Sequence, residues 1–295
     1  MSDFILSCCS TADLTKQHFE DRNIKYICFH YFLDGIHYID DLGQTIPFNE
    51  FYKKMQQGSE TRTSQVNIDE YYDYFESLLK TGKDVLHITL SSGLSGSYNS
   101  ARIAAADLRE KFPQQKLYIV DSLGASSGYG LFVDKLADLR DAGKDIDYIY
   151  NWANNNKLKM HHWFFSTDLS FYVKGGRISK TAGLFGTVLK ICPVLNMDAN
   201  GKLIPRKKVR GKNNAITEII EEMKLNAENG LEYNNKCYIC HSACLDDAEK
   251  VSSLIVSNFP KLENKPQIFD IGTTIGCHSG PGTVAVFFWG KEREL

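Results

Sequence analysis

No stretch of this 295-residue chain stays apolar long enough to cross a bilayer, which excludes an integral membrane segment. Met1-Ser2-Asp3-Phe4 lacks the basic flank and cleavage pattern of a secretory leader, so the expected compartment is the cytosol. Net charge is lacking too. The 34 basic and 36 acidic residues leave −2, which gives no global pull towards nucleic acid or an anionic membrane and makes any anion recognition local. Eight cysteines are too sparse for a disulfide framework at this length, and a reducing compartment would keep most of them as free thiols. No low-complexity tract is found in a composition that is 43% hydrophobic and 24% charged, the balance of a globular protein whose length suits two domains.

What is present is organised around Asp84–Arg102. Val85, Leu86, Ile88, Thr89 and Leu90 form a short β-branched apolar run, the pattern of a strand buried on both faces of a parallel sheet. Ser91, Ser92, Gly93, Ser95, Gly96 and Ser97 follow, a loop of little bulk with a helix starting inside it. A helix start leaves N–H groups without partners and favours negative charge, so this loop is read as a site for a small anion. The arrangement recurs: Lys116–Asp121 is a second such strand, with small residues from Ser122 to Gly130 before another helix. Two such units argue for parallel strands with helical crossovers, hence a doubly wound α/β domain up to about residue 156.

Around these units the expected elements are strands Phe4–Cys9 and Lys25–Leu33, a hairpin turn at Asp34-Gly35 leading to Ile36–Ile39, and a helix Phe48–Met55. Gly58–Ser64 reads as a polar loop, and Asn67 with Glu70 as a capping box opening a helix to Leu79. Beyond residue 156 the pattern changes to α+β. It comprises strand His162–Ser166, a polar connector Leu169–Ser179, a helix Ala182–Ile191 and a hairpin built from Pro193–Met197 and Lys202–Val209. Helix Asn214–Ala227, strand Lys236–Ser242, helix Leu245–Phe259 and strand Gln267–Ile271 come next. The last segment reads as a glycine-rich turn from Gly272 entering the strand Val284–Trp289. The fold class is therefore α/β, with domains at 1–160 and 161–295.

Several constellations compete for a function. Gly93-Leu94-Ser95-Gly96-Ser97 misses the last glycine of a nucleophile elbow, so a serine hydrolase or a phosphate-transferring enzyme using Ser92 or Ser95 is the alternative to an anion-binding loop. Cys237-Tyr238-Ile239-Cys240-His241 matches a haem-attachment string, but on a strand residues three apart face opposite ways, which favours cysteines acting as small buried hydrophobes. Lys174-Gly175-Gly176-Arg177 and the run Arg206, Lys207, Lys208, Arg210, Lys212 are a solvated face or a phosphate or acidic-partner contact. His278-Ser279-Gly280-Pro281-Gly282 suits close backbone approach to a ligand, with His278 as contact or proton donor.

In their order along nearly the whole chain, these motifs resemble the DegV family of bacterial lipid-binding proteins, which includes the fatty-acid-binding subunits of fatty acid kinase. The segments are Ser10-Thr11-Ala12-Asp13-Leu14, Thr63-Ser64-Gln65, Leu90 to Tyr98, Lys174 to Ser179, Lys208-Val209-Arg210 and His278 to Gly282. The resemblance implies a long-chain fatty acid in a tunnel between two α/β domains. Thr63 and Ser92 would bind its carboxylate, with Ser64, Gly93, His278 and Ser279 close by, and no resident cofactor, metal or catalytic residue is implied. The partner would be a separate ATP-using kinase subunit that forms acyl phosphate, with Arg177 and Arg210 near the phosphate or docking the kinase. Phe165, Phe171, Leu184, Phe185 and Ile191 are candidates for the tail wall. The chain departs from the family pattern at two places: Cys9 stands where an Asp is usual, and Val66-Asn67 where Pro-Ser is common.

Overall fold

A computed structural model describes residues 4–179 and 191–295. Strands β1 (Phe4–Cys9), β2 (Ile24–Ile27), β6 (Asp84–Thr89) and β7 (Leu117–Asp121) form a parallel sheet in the order β2-β1-β6-β7. Strand β6 lies inside this sheet and is buried from Val85 to Thr89, which is why it reads as an unbroken apolar run rather than an alternating one. The order reverses between β1 and β6, the place where α/β sheets leave a crevice beyond their strand ends.

The expected strand Lys25–Leu33 is two strands in two sheets. The chain leaves the parallel sheet after Ile27 and starts β3 (His30–Leu33), which pairs with β4 (Ile36–Ile39) across the Asp34-Gly35 turn. Residues read as a polar loop supply β5 (Thr61–Ser64), which pairs with the other edge of β3. Its Thr-Arg-Thr-Ser sequence has no apolar face to announce a strand. Helices α1 (Lys16–Asp21), α2 (Phe48–Gln56), α3 (Ile68–Leu79) and α4 (Ser97–Lys111) belong to this half of the chain. Both limbs of the Asn67–Glu70 capping box are formed at the start of α3.

The second sheet has six strands: β8 (Met160–Ser166), β9 (Ile191–Met197), β10 (Leu203–Arg210), β11 (Tyr238–His241), β12 (Gln267–Asp270) and β13 (Thr283–Trp289). Their order is β10-β9-β8-β13-β11-β12, antiparallel except for β11 with β12. Helix α5 (Ser126–Asp141) is buried along its first turns and packs on β8, β11 and β13, so it lies between the two main sheets. Helix α6 (Ile146–Asn156) precedes β8, and the connector after β8 contains a short helix, α7 (Ser170–Lys174), that was not expected. Residues 182–190 of the expected helix lie outside the described residues, and Ile191 opens β9 instead. Helices α8 (Lys212–Asn226) and α9 (Leu245–Asn258) follow their expected positions closely.

The segment read as a turn after Gly272 is helix α10 (Thr273–Ser279). It packs against β3, β5, α2 and α7, so the end of the chain returns to the small three-stranded sheet. A second link joins the halves far from α10. Asp134 of α5 is buried, hydrogen-bonded by His18 Nε2 at 3.2 Å, the Tyr238 hydroxyl at 3.1 Å and Lys236 Nζ, and ion-paired with Arg22, whose Nε lies 2.9 Å away. These partners hold its carboxyl well below the usual carboxylate range despite its burial.

Candidate functional site

Between the parallel sheet, the six-stranded sheet and α10 lies a cavity of about 710 Å³, a volume in the range of small-molecule sites. Its floor is one face of the six-stranded sheet. Strand geometry sends alternate side chains to opposite faces, so His162 and Phe164 of β8 face the cavity together with Thr283, Ala285 and Phe287 of β13. Phe165 points the other way, and Phe171 and Ile191 are not on the wall, which corrects three of the expected tail contacts. Leu184 and Phe185 lie outside the described residues. The opposite wall comes from Leu90, Leu94 and Ala125 at the ends of the parallel strands and from Ile271 and Ile275 at α10.

One end of the cavity is polar and open. Arg62, Ser64, Gln65, Gly96 and Lys174 there are exposed, and Thr63, Ser95, Arg177 and His278 are part-buried. Strand β5 sets Thr63 opposite Tyr31 on β3, and α10 brings His278 to it, with Nε2 2.8 Å from Thr63 Oγ1. On the other side of the ring, Arg177 Nη1 lies 3.4 Å from His278 Nδ1 and 2.5 Å from the Gly175 carbonyl. A guanidinium can only donate, so His278 Nδ1 accepts and Nε2 carries the proton that it donates to Thr63. Burial and the nearby Arg177 charge push His278 down to about 3, consistent with that neutral tautomer. Thr63 therefore accepts from His278 and keeps its own hydroxyl proton free to donate elsewhere. Gly175 is required for this arrangement, because a Cβ there would stand 2.2 Å from His278 Nδ1. Burial lowers Arg177 as well, and its Nη2 donates to the Leu94 carbonyl at 3.1 Å, tying the loop after β6 to the connector after β8.

Of the residues singled out in the sequence, Thr63, Ser64, Arg177, His278 and Ser279 meet on this cavity. Ser92 and Gly93 are set aside from it. The Ser92 side chain is exposed and its amide donates to Asp121 Oδ1 at 3.1 Å, while the Gly93 amide donates to Ser91 Oγ at 3.1 Å. Gly93 abuts the β9–β10 turn, with its ideal Cβ position 2.6 Å from the carbonyl oxygens of Asn200 and Gly201. The first half of the loop thus docks one sheet on the other, and its second half, Leu94, Ser95 and Gly96, lines the cavity beside the start of α4. Arg210 is remote: it ends β10, seven residues and roughly 24 Å of strand from Leu203, the β10 residue on the cavity wall.

Arg62, Gln65, Ser95 and Lys174 complete the open end. Gln65 and Ser95 stood inside quoted motifs, but nothing in the sequence marked which members of each motif would face inwards. Ser95 Oγ lies 3.5 Å from Gln65 Oε1 and accepts from the Ser97 amide, and no histidine bonds Ser92 or Ser95 among the described residues, so neither has the base a serine nucleophile requires. Cys240 lines the cavity and Cys237 does not. Cys9 is buried behind the site. Its thiol is pushed up to about 11 by burial and lies 3.3 Å from the Tyr71 hydroxyl, which bonds Ser97 Oγ at the start of α4 at 2.6 Å. Among the described residues no group of three or more His, Cys, Asp or Glu is placed to hold a metal ion. No helix among them is long and apolar enough to cross a membrane.

A parallel-sheet unit joined to a mixed-sheet unit, with an apolar cavity closing at a hydroxyl- and cation-lined mouth, defines an α/β protein built around an amphipathic pocket. The chain belongs to the DegV family, whose model, described as an uncharacterised protein family, matches residues 9–291. It is 37% identical over 295 residues to a DegV domain-containing protein of Clostridium perfringens, covering 100% of both chains. With one from Streptococcus pyogenes it shares 31% over 287 residues and 97% of each. Among solved structures it is similar to a DegV lipid-binding protein from Thermotoga maritima, with a TM-score of 0.84 and 26% identity over 100% of both chains. A fatty-acid-binding DegV family protein from Streptococcus agalactiae matches with a TM-score of 0.82 and 26% identity, over 99% of this chain and 100% of that one.

Proposed function

We propose that this protein binds one long-chain fatty acid between its two sheets and presents the carboxylate to a separate ATP-dependent kinase subunit, which forms the acyl phosphate. The observation that carries the reading is the polarity of the cavity: aromatic and aliphatic walls end at Thr63, whose hydroxyl proton is left free by His278 and Arg177. Relatives described as fatty-acid-binding proteins support it. Burying about sixteen carbons at roughly 0.8 kcal/mol per methylene gives a gross driving force on the order of 12 kcal/mol before ordering costs, so the tail can dominate affinity. The head group then needs orientation more than strength. Hydroxyls and a neutral histidine supply that and leave a carboxylate oxygen unmasked for attack on a phosphoryl donor, with Arg62, Lys174 and Arg177 at the mouth to balance the added charge.

Native mass spectrometry of protein purified from a bacterial host is expected to show a co-purified fatty acid. A clean unliganded mass with no uptake of added palmitate or oleate would overturn the reading. For the second part, loaded protein incubated with ATP and a candidate kinase is expected to yield a hydroxylamine-trappable acyl group, whereas the protein with ATP alone yields none.

A further inference from the structure

The outward face of the three-stranded sheet carries two histidines that take no part in the cavity. Residues directly opposite in an antiparallel ladder share a face, so His30 on β3 stands in a row with Ile39 on β4 and Ser64 on β5, and Phe32 in the next row with His37 and Arg62. His30 and His37 are therefore diagonal neighbours across the hairpin. Their rings meet, with His37 Nε2 3.1 Å from His30 Nδ1. The other nitrogen of His30, Nε2, lies 2.8 Å from Glu70 Oε1 at the start of α3. A carboxylate accepts, so His30 Nε2 carries a proton and, in the neutral ring, Nδ1 presents a lone pair towards His37. Glu70 is itself held in place. Its Oε2 accepts from the Asn67 amide at 2.8 Å in the capping box. Of the eight histidines in the chain, His37 is the exposed one, and His30 behind it is part-buried. Arg62, in the same row as His37, is on the far strand, with its guanidinium over the Phe32 ring at 3.9 Å.

We propose that His30 and His37 form a surface site for a divalent transition-metal ion of the zinc or copper type, with Glu70 as the outer partner of His30. The assignment is independent of the fatty acid reading. An ion about 2 Å from each of two imidazole nitrogens holds them about 3.4 Å apart in a tetrahedral site and about 2.9 Å apart in a square one. The observed 3.1 Å lies between these values. Exposed on the edge strand, His37 can tilt so that both lone pairs meet an ion beside the line that joins them. A metal-bound histidine almost always donates its second N–H to a carboxylate, a carbonyl or water, and the bond from His30 to Glu70 supplies that arrangement. The two Glu70 oxygens are taken by His30 and Asn67, so the protein provides two nitrogen ligands and water fills the remaining positions. Nitrogen ligands select borderline ions over magnesium or calcium. A bound ion joins the two strands of the hairpin and, through Glu70, ties them to the start of α3.

The test is calorimetric titration of the full chain with zinc chloride, in a non-coordinating buffer with a phosphine reductant, repeated for His37→Ala, Glu70→Gln and Cys28→Ser. The unsubstituted protein is expected to take up one ion per chain. His37→Ala, at an exposed position whose loss leaves the core intact, is expected to weaken uptake by more than roughly ten-fold, and Glu70→Gln, which keeps a residue suited to the capping box, by about ten-fold. Cys28→Ser removes a part-exposed thiol and is expected to bind zinc as the unsubstituted protein does. With copper(II) in place of zinc, electron paramagnetic resonance is expected to show coupling to two imidazole nitrogens, and that two-nitrogen signal is expected to be absent in His37→Ala. No uptake by the unsubstituted protein, unchanged uptake by His37→Ala, or loss of uptake in Cys28→Ser overturns the site.

Discussion

At Thr63, hydrogen-bond direction decides what the site can do. Arg177 can only donate, so the order of donation runs from Arg177 to His278 to Thr63 and leaves one hydroxyl proton facing the cavity. Thr63→Val keeps the shape and removes that proton. It is expected to weaken binding of a fatty acid by about ten-fold or more, the worth of a hydrogen bond to a charged group, and to change binding of the corresponding methyl ester far less, as read by calorimetry. The same order sets a pH dependence. His278 is depressed to about 3 against an ordinary value of about 6.5, so its contribution to stability is fully present above pH 6.5 and is lost as pH falls from there towards 3. Buried His162 is depressed as well and acts in the same direction. His278→Gln can donate to Thr63 and accept from Arg177 without titrating, and melting temperatures measured from neutral pH to about pH 4 are expected to fall less steeply in that variant. Arg177 and His278 were legible because each stood in a motif of unusual composition, whereas Thr63, in a stretch that reads as a polar loop, was marked only by the resemblance of Thr63-Ser64-Gln65 to the family. It could not show that Ser92 turns outward, since Ser91, Ser92 and Ser95 differ only in which way the loop points them.

The loop after β6 does two things at the level of whole elements, and the sequence revealed only that it was small. Its glycine at position 93 was read as room for a ligand, yet the room is filled by the turn between β9 and β10. Gly93→Ala is expected to destabilise the protein by about 1–3 kcal/mol through overpacking against the Asn200 and Gly201 carbonyls, measured by urea unfolding. Elements with a strong period or a cap were legible to within a residue or two, as with α3 behind its Asn67–Glu70 box and the buried strand β6. Strand β5 and helix α10 were missed for opposite reasons. Thr61–Ser64 becomes a strand because β3 offers it an edge, not because its own residues form an apolar face, and Thr273–Ser279 forms a helix despite the glycines at 272, 276 and 280 around it. Both carry residues of the site, so tertiary pairing outweighs local propensity at the place where the chemistry lies.

For the molecule as a whole, the two main sheets are joined by more than the cavity wall. Asp134 gathers Arg22, His18, Lys236 and Tyr238, and replacing it leaves cations facing a site built for a carboxylate. Asp134→Asn is expected to cost about 2 kcal/mol, less than a fully buried pair because Arg22 and Lys236 are part-exposed, and to lower the melting temperature by several degrees. Division of the chain into a parallel-sheet unit and a mixed-sheet unit was legible from the change in strand and helix pattern after residue 156, whereas of the three-stranded sheet only the hairpin across Asp34-Gly35 was. That smaller sheet is what α10 returns to, and the return makes the site depend on residues more than 200 positions apart, such as Thr63 and His278.

On the fatty-acid reading, the cavity between the two main sheets would make a bound acyl tail part of the interior. With a ligand in place, its tail takes the position that core side chains occupy elsewhere, and the two sheets pack through it rather than directly against each other. Melting of the protein would then report its cargo: a preparation loaded with acids of mixed length is expected to unfold over a broader temperature range than one loaded with a single acid, because its molecules have differently completed cores.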